Sequence, residues 1–205
     1  MDYKIYDIFP KAIMKFKLNR EFNNNELLQF DYIQNKVKVA AHSDGISYDH
    51  YVLNNESMSS LKEFCENCLN EYLNKIYCPS DNSVKIYITQ SWINYLRKDH
   101  IHAMHAHSNS FLSGVLYISM GDDVDSIEFT KNEYSPIKFT PKEINDYNTE
   151  DVEFKVKKYE ILIFPSNLYH SVPPNKSDKL RISLAFNSYI SGTISNDDTL
   201  YELKL

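Results

Sequence analysis

Phe111-Leu112-Ser113-Gly114-Val115-Leu116-Tyr117-Ile118 reads as a β-strand: Leu112, Gly114, Leu116 and Ile118 share one parity, and Phe111, Ser113, Val115 and Tyr117 the other. Side chains of an extended chain leave to opposite faces in turn, so a period of two marks a strand in a layered sheet. The same period recurs on both sides. Val84, Ile86 and Ile88 alternate with Lys85, Tyr87 and Thr89, and Val152, Phe154 and Val156 alternate with Glu153, Lys155 and Lys157. Further on, Ile182, Leu184 and Phe186 alternate with Arg181, Ser183 and Ala185. Short strands separated by Asn, Asp, Ser, Gly and Pro predict an antiparallel sandwich or barrel. The polar stretch from Gly121 to Thr149 reads as a surface excursion within it.

Upstream the period changes. Leu61, Phe64, Cys65, Cys68, Leu69, Tyr72, Leu73 and Ile76 recur at three- and four-residue steps, the stripe of an amphipathic helix that Pro79 ends. Ser60-x-x-Glu63 is a candidate capping box at its start. A weaker helix is expected from Asn25 to Val37. The chain has 205 residues, which at ~150 per domain predicts one domain. It divides into a helical and strand support layer over residues 1–80, a β core over about 84–190 and a tail over 191–205. The fold class is mainly β with flanking helices.

Composition removes several function classes. Lys and Arg number 22 against 28 Asp and Glu, a net charge of −6, which argues against duplex nucleic acid as a partner because phosphate binding rewards many cations. Lys155, Lys157 and Lys158 read as a solvated strand edge. No apolar run approaches the ~20 residues of a bilayer span, and the start, Met1-Asp2-Tyr3-Lys4-Ile5-Tyr6-Asp7, lacks a basic region followed by a long apolar one. Three cysteines are an odd number. Cys65 and Cys68 lie within the helical stripe and read as core; a metal site there would need further ligands, and only Cys78 is near. A reduced, cytoplasmic protein is expected.

Four of the seven histidines fall within eight residues: His100, His102, His105 and His107. In an extended segment, side chains at i and i+2 share a face, so His105 and His107 can meet one ion. A second piece is Ile161-Leu162-Ile163-Phe164-Pro165-Ser166-Asn167-Leu168-Tyr169-His170, an apolar strand entering a turn that ends on a histidine. A third ligand from a separate strand completes facial metal sites; the other reading of His170 is a turn or core residue. The third piece is Arg181-Ile182-Ser183. Alternation puts Arg181 and Ser183 on one face, where a guanidinium fork beside a hydroxyl matches a carboxylate, or else an exposed sheet face pairs with a nearby acid.

Together these pieces resemble the 2-oxoglutarate/Fe(II)-dependent dioxygenases, and most closely a branch often encoded by phages. The resemblance runs over residues 86–205. It is carried by Ser91-Trp92-Ile93-Asn94, His105-x-His107-x-Asn109-Ser110, Ser113-Gly114-Val115-x-Tyr117-Ile118, Phe164-Pro165-Ser166 and His170-x-Val172-x-Pro174-Asn175. Arg181-Ile182-Ser183-x-Ala185-Phe186-Asn187, Gly192-Thr193 and the tail from Leu200 to Leu205 follow. The resemblance implies a double-stranded β-helix (jelly-roll, cupin-like) core and Fe(II) held by His105, His107 and His170. It implies that Arg181, helped by Ser183, binds the distal carboxylate of 2-oxoglutarate, with Tyr117 lining that pocket and Asn94 and Asn109 as candidate polar groups. With O₂ as second co-substrate, 2-oxoglutarate becomes succinate and CO₂ while an unidentified substrate C–H is oxidised. A phage-encoded protein would work in the host cytoplasm, and open barrel edges would allow a homo-oligomer.

One departure stands out. The family's common pair is His-x-acid, and this chain has His107 at the acidic place. Three neutral imidazoles leave a metal site one charge more positive. Related cupin barrels use three histidines; alternatively His102, Asp99 or Glu128 completes the shell. Two further readings stay open: a cupin-type metalloenzyme that does not use 2-oxoglutarate, which leaves Arg181 without a task, and a non-catalytic binding module on the same barrel.

Overall fold

The computed structural model describes residues 1–35, 37–40, 43–121, 125–133, 136–195 and 200–205. In chain order its elements are β1 (Met14–Lys17), α1 (Asn24–Gln34), β2 (Val37–Ala40), β3 (Ser43–Ser47), α2 (Ser59–Tyr72), β4 (Lys85–Leu96), β5 (His102–His105), β6 (Leu112–Ser119) and β7 (Ser126–Thr130). Then come β8 (Asp151–Lys155), β9 (Glu160–Pro165), β10 (Tyr169–Val172), β11 (Arg181–Ser191), β12 (Thr193–Ile194) and β13 (Leu203–Lys204). One sheet runs β1-β9-β6-β11-β4-β3-β2 and a second runs β5-β10-β7-β8. From β4 to β11 the chain passes back and forth between these two sheets. That winding is the double-stranded β-helix expected from the sequence.

The alternation in β6, β9 and β11 sorts residues between two interiors rather than between core and solvent. Leu116, Ile161, Ile163, Leu184 and Phe186 join Leu61, Cys65, Leu69 and Tyr72 of α2 in one buried cluster. Val115, Tyr117, Leu162, Phe164 and Ala185 take the opposite parity and form a second cluster with Ile127 and Phe129 of the smaller sheet. Phe129 and Phe164 meet edge to face across that gap, with centroids 5.0 Å apart.

Three local expectations change. The capping box does not form at Ser60: α2 is entered from two 3-10 turns, its N-cap is Met58 with no side-chain bond, and Ser60 Oγ accepts from Arg20 Nη2 at 3.0 Å. A reciprocal box forms instead at α1, where Asn23 and Glu26 each accept the other's backbone N–H at 2.9 Å. Glu26 is fully buried, its charge met by Arg20 at 2.7 and 2.8 Å. The α2 stripe is buried apart from half-buried Phe64 and the stripe's end. There a π-turn over Leu73–Tyr77 turns Ile76 outward before Cys78 takes a left-handed conformation and Pro79 follows. Finally, the polar stretch after Gly121 is not wholly a surface excursion: β7 lies within it, with Ile127 and Phe129 buried.

Packing within the large sheet leaves no room for a side chain at Gly114, opposite Phe186. A Cβ there would lie 2.1 Å from the ring, and Phe186 has no exposed surface into which to retreat. Gly114→Ala is expected to cost about 1–3 kcal/mol, the range of overpacked cores, read as a lowered denaturant midpoint at unchanged slope.

Candidate metal centre and cofactor pocket

Pairing of β5 with β10 sets His105 opposite His170, and His107 follows just beyond the end of β5. The ring centroids are 4.3 Å apart for His105 and His170, 5.1 Å for His105 and His107, and 5.0 Å for His107 and His170. One ligand nitrogen from each lies within 4.8 Å of the others, and among the described residues this is the one cluster of metal-binding side chains so placed. The Nδ1 of His105 donates to the Ala103 carbonyl at 2.8 Å and that of His170 to the Leu168 carbonyl at 2.9 Å. A carbonyl can only accept, so in the neutral rings Nε2 keeps its lone pair. His107 Nδ1 lies 2.7 Å from Ser113 Oγ. Burial, seconded by the neighbouring imidazoles, lowers His107 to about 4 and His170 to about 3. Both are neutral at physiological pH.

The cluster opens into a cavity of about 370 Å³ that also holds Arg181, Ser183, Tyr117 and Asn94. Arg181 begins β11 and is 3% exposed. One of its nitrogens donates to the Ser126 carbonyl at 2.8 Å and lies 3.8 Å from Asp125, itself buried and accepting the Gly121 N–H at 3.0 Å. The guanidinium stands 5.3 Å from the centre of the Tyr117 ring. Burial pushes the Tyr117 hydroxyl up to about 12, against the opposing pull of Arg181, so it keeps its proton. That hydroxyl is buried and, among the described residues, has no hydrogen-bond partner. An unpaired buried donor beside a buried cation is a costly arrangement unless an anion completes it.

Of the other candidates, Asn109 stands apart, exposed in the turn after β5 at φ 53°. Asp99 is exposed, also at positive φ. Glu128 pairs across the small sheet with Ser171 and Glu153. Neither acid belongs to the cluster. His102 lines the cavity and stacks on His105, centroids 4.8 Å apart and planes 19° from parallel, outside the three-ligand group. Sequence reasoning missed Trp92, whose ring meets His107 edge-on at 5.8 Å, and Asp125, which carries no motif and gains its meaning only from Arg181 across the barrel. Cys65 and Cys68 are buried thiols, Cys65 held well above its usual pKa and Cys68 at about 12, chiefly by burial. They are core residues.

A double-stranded β-helix with three convergent imidazoles and a buried arginine in one cavity is an arrangement suited to a non-haem metal and an anionic ligand. Comparison adds that residues 90–187, just under half of the chain, match the family model described as "Putative 2OG-Fe(II) oxygenase". Among solved structures, the fold is shared with a 2OG-Fe(II) oxygenase from Burkholderia pseudomallei (14% identity, 85% of this chain and 83% of that one, TM-score 0.54). It is shared with a Pseudomonas putida prolyl-4-hydroxylase (12%, 86% and 92%, 0.53). A third is HygX of Streptomyces hygroscopicus with nickel, 2-oxoglutarate and hygromycin B bound (10%, 87% and 82%, 0.55). A comparison with curated protein sequences found no match. No helix among the described residues is long and apolar enough to cross a membrane.

The depressed histidines make stability depend on pH. They titrate near 6.5 when unfolded, against about 4 for His102 and His107 and about 3 for His170 in the fold. Between these values the unfolded chain binds more protons, so the stability they allow at neutral pH is lost as pH falls from about 6.5 towards 4. Urea unfolding of chelator-treated protein should show a lower midpoint at pH 5 than at pH 7. His102→Asn should narrow the difference.

Proposed function

We propose that this chain is an Fe(II)- and 2-oxoglutarate-dependent dioxygenase in which His105, His107 and His170 hold the metal and Arg181, Ser183 and Tyr117 anchor the co-substrate. The observation that carries the reading is the shared cavity: three convergent imidazoles, two of which have carbonyl partners that leave Nε2 for a cation, with a guanidinium and an unpartnered hydroxyl beyond them. The donor set fits Fe(II), for which imidazole is a suitable ligand, and three protein ligands leave coordination positions open. When bound there, Fe(II) supplies the oxidative chemistry in which 2-oxoglutarate and O₂ become succinate and CO₂ while a substrate C–H becomes C–OH.

The chain's own residues do the rest. Arg181 receives the distal carboxylate through charge-assisted hydrogen bonds. Asp125 and the Ser126 carbonyl occupy one nitrogen of the fork and so fix its plane. Tyr117, protonated at working pH, donates from beside the guanidinium, and Ser183 adds a hydroxyl from the same face of β11. On the metal side Trp92, Phe129 and Phe164 surround the imidazoles with apolar surface that excludes water. Because the three ligands are neutral, a divalent metal and the doubly charged keto acid cancel in charge. HygX, of the same fold, binds nickel and 2-oxoglutarate, which supports this pairing of ligands. The three unpaired cysteines, two of them buried, support a reducing compartment, and we assign the protein to the cytoplasm, that of a host if a phage encodes it.

Visible spectroscopy without O₂ tests this directly. Adding 2-oxoglutarate to the Fe(II)-loaded protein is expected to produce a metal-to-ligand charge-transfer band. Iron bound without a band would favour a cupin-type metalloenzyme; no iron bound would leave a binding module. Calorimetry should then show Arg181→Ala losing about 2–3 kcal/mol of 2-oxoglutarate affinity, the scale of a hydrogen-bonded charge, with Fe(II) binding retained.

A further inference from the structure

His107 differs from its two neighbours in what stands behind it. His105 and His170 rest on backbone carbonyls, which can only accept, and their tautomers are settled by that contact alone. His107 rests on the hydroxyl of Ser113 at 2.7 Å, and a hydroxyl both donates and accepts. The contact by itself allows the proton on Nδ1, which frees Nε2 for a metal, or on Nε2, which forbids it. The decision passes to the next layer.

That layer is made by three neighbouring strands of the large sheet. Ser113 on β6 lies opposite Asn187 on β11 and beside Phe164 near the end of β9, just before Ser166. Ser113 Oγ has three polar neighbours: His107 Nδ1, Ser166 Oγ at 2.8 Å and Asn187 Oδ1 at 3.0 Å. Ser166 Oγ in turn lies 2.7 Å from Ser110 Oγ, and Ser113 and Ser166 are 0% and 1% exposed. A hydroxyl has one proton and two lone pairs, so three partners saturate it. Asn187 Oδ1 can only accept, so the proton of Ser113 goes there. Its lone pairs then receive the Ser166 hydroxyl and the Nδ1–H of His107. The bonds from His107 and from Ser166 thus both run to Ser113 and on to Asn187, whose side chain also reaches His107 itself. Ser166 also pins the histidine from the main chain, its carbonyl accepting the His107 N–H at 2.9 Å.

We propose that Ser113 and Asn187 are positioning residues that set the tautomer of His107, holding its ring proton on Nδ1 so that Nε2 faces the metal. Ser110 and Ser166 saturate the relay from the other side. The consequence for metal binding rests on the reading of His107 as a ligand; the tautomer itself does not. Turning the Asn187 amide over would place N–H groups against Ser113, send the serine proton to Nδ1 and move the imidazole proton to Nε2. The relay thus does for an imidazole what a carboxylate at this place would need no partner to do.

The test is nitrogen-15 NMR of the histidine-labelled, metal-free full-length protein at neutral pH, followed by Co(II) titration. Wild type should show His107 as the Nδ1–H tautomer. Ser113→Ala and Asn187→Leu should shift it towards Nε2–H and weaken Co(II) binding about 10- to 100-fold, the usual effect of losing an outer-layer partner. Asn187→Asp, which can only accept, should keep the wild-type tautomer and bind Co(II) within a few-fold of wild type. Ser166→Ala leaves the His107–Ser113–Asn187 line intact and should also retain the Nδ1–H signal, so the proposal stays testable if Ser113→Ala does not fold. An Nε2–H signal for His107 in wild type, or wild-type tautomer and affinity in a folded Asn187→Leu, would overturn it. An Nδ1–H signal in a wild type that binds no Co(II) would support the relay and sink the metal reading instead.

Discussion

Antiparallel pairing of β5 with β10 sets His105 against His170, and the rest of the site is built around that cross-strand pair. Opposed side chains on one face stand ~5 Å apart, which is the scale needed for two imidazoles to share one ion. A one-residue slip would send either ring to the other face. The register is held from behind, because β10 also pairs with β7, where His170 faces Phe129 and that ring packs into the barrel. The third imidazole comes from past the end of β5, and its backbone is caught by the Ser166 carbonyl at the end of a large-sheet strand. The cluster therefore ties the two sheets together at one end of the barrel.

Electrostatics then explains the division of the cavity. The clustered imidazoles, with the proton affinity of His107 and His170 lowered chiefly by burial, form a wall suited to a cation that brings its own charge. Further in, Arg181 is a permanent charge that burial alone would penalise heavily. Asp125 offsets part of that penalty, but at 3.8 Å and with a single guanidinium nitrogen engaged it leaves the rest of the fork in the cavity. The hydroxyl of Tyr117, buried and unpartnered, makes the same point from a neutral group. A dicarboxylate spanning from metal to arginine would satisfy both ends at once.

The strands over residues 85–96, 112–119, 151–155, 160–165 and 181–191 were legible from parity, and His105, His107 and His170 from spacing at a strand end and a histidine after an apolar run, whereas the β-helical winding came from the family resemblance. The parity of Arg181, Ser183 and Tyr117 likewise predicted the face on which the cavity lies. What escaped was non-local. The helix start was misplaced because Ser60 and Glu63 have the right spacing, whereas the preceding 3-10 turns already deliver the chain into α2. The strand β7 was hidden because polar neighbours obscure a five-residue alternation. Asn109 was grouped with the site by adjacency to His107, yet a left-handed turn carries it outward. Ser113, Asn187 and Asp125 are ordinary residues whose roles exist only once strands distant in sequence are side by side.

The large sheet shows why such a polar cavity is tolerable in a domain of this size. Its two faces are sorted by parity. Leu184 and Phe186 of β11 pack under α2 in the larger of the two buried clusters, while Arg181, Ser183 and Ala185 of the same strand face the cavity. Helix and strand apolar surface removed from water supplies the main favourable term on the first face, at ~25 cal/mol for each Å². The second face can then carry a charge and an unpartnered hydroxyl opposite the three imidazoles of the smaller sheet's end, none of which gives a comparable gain. Between Arg181 and Asn187, each residue of β11 is thereby committed to stability or to chemistry by whether its number is even or odd. A substitution on the even side should be felt first in the fold, and one on the odd side, from Arg181 to Asn187, first in what the cavity binds.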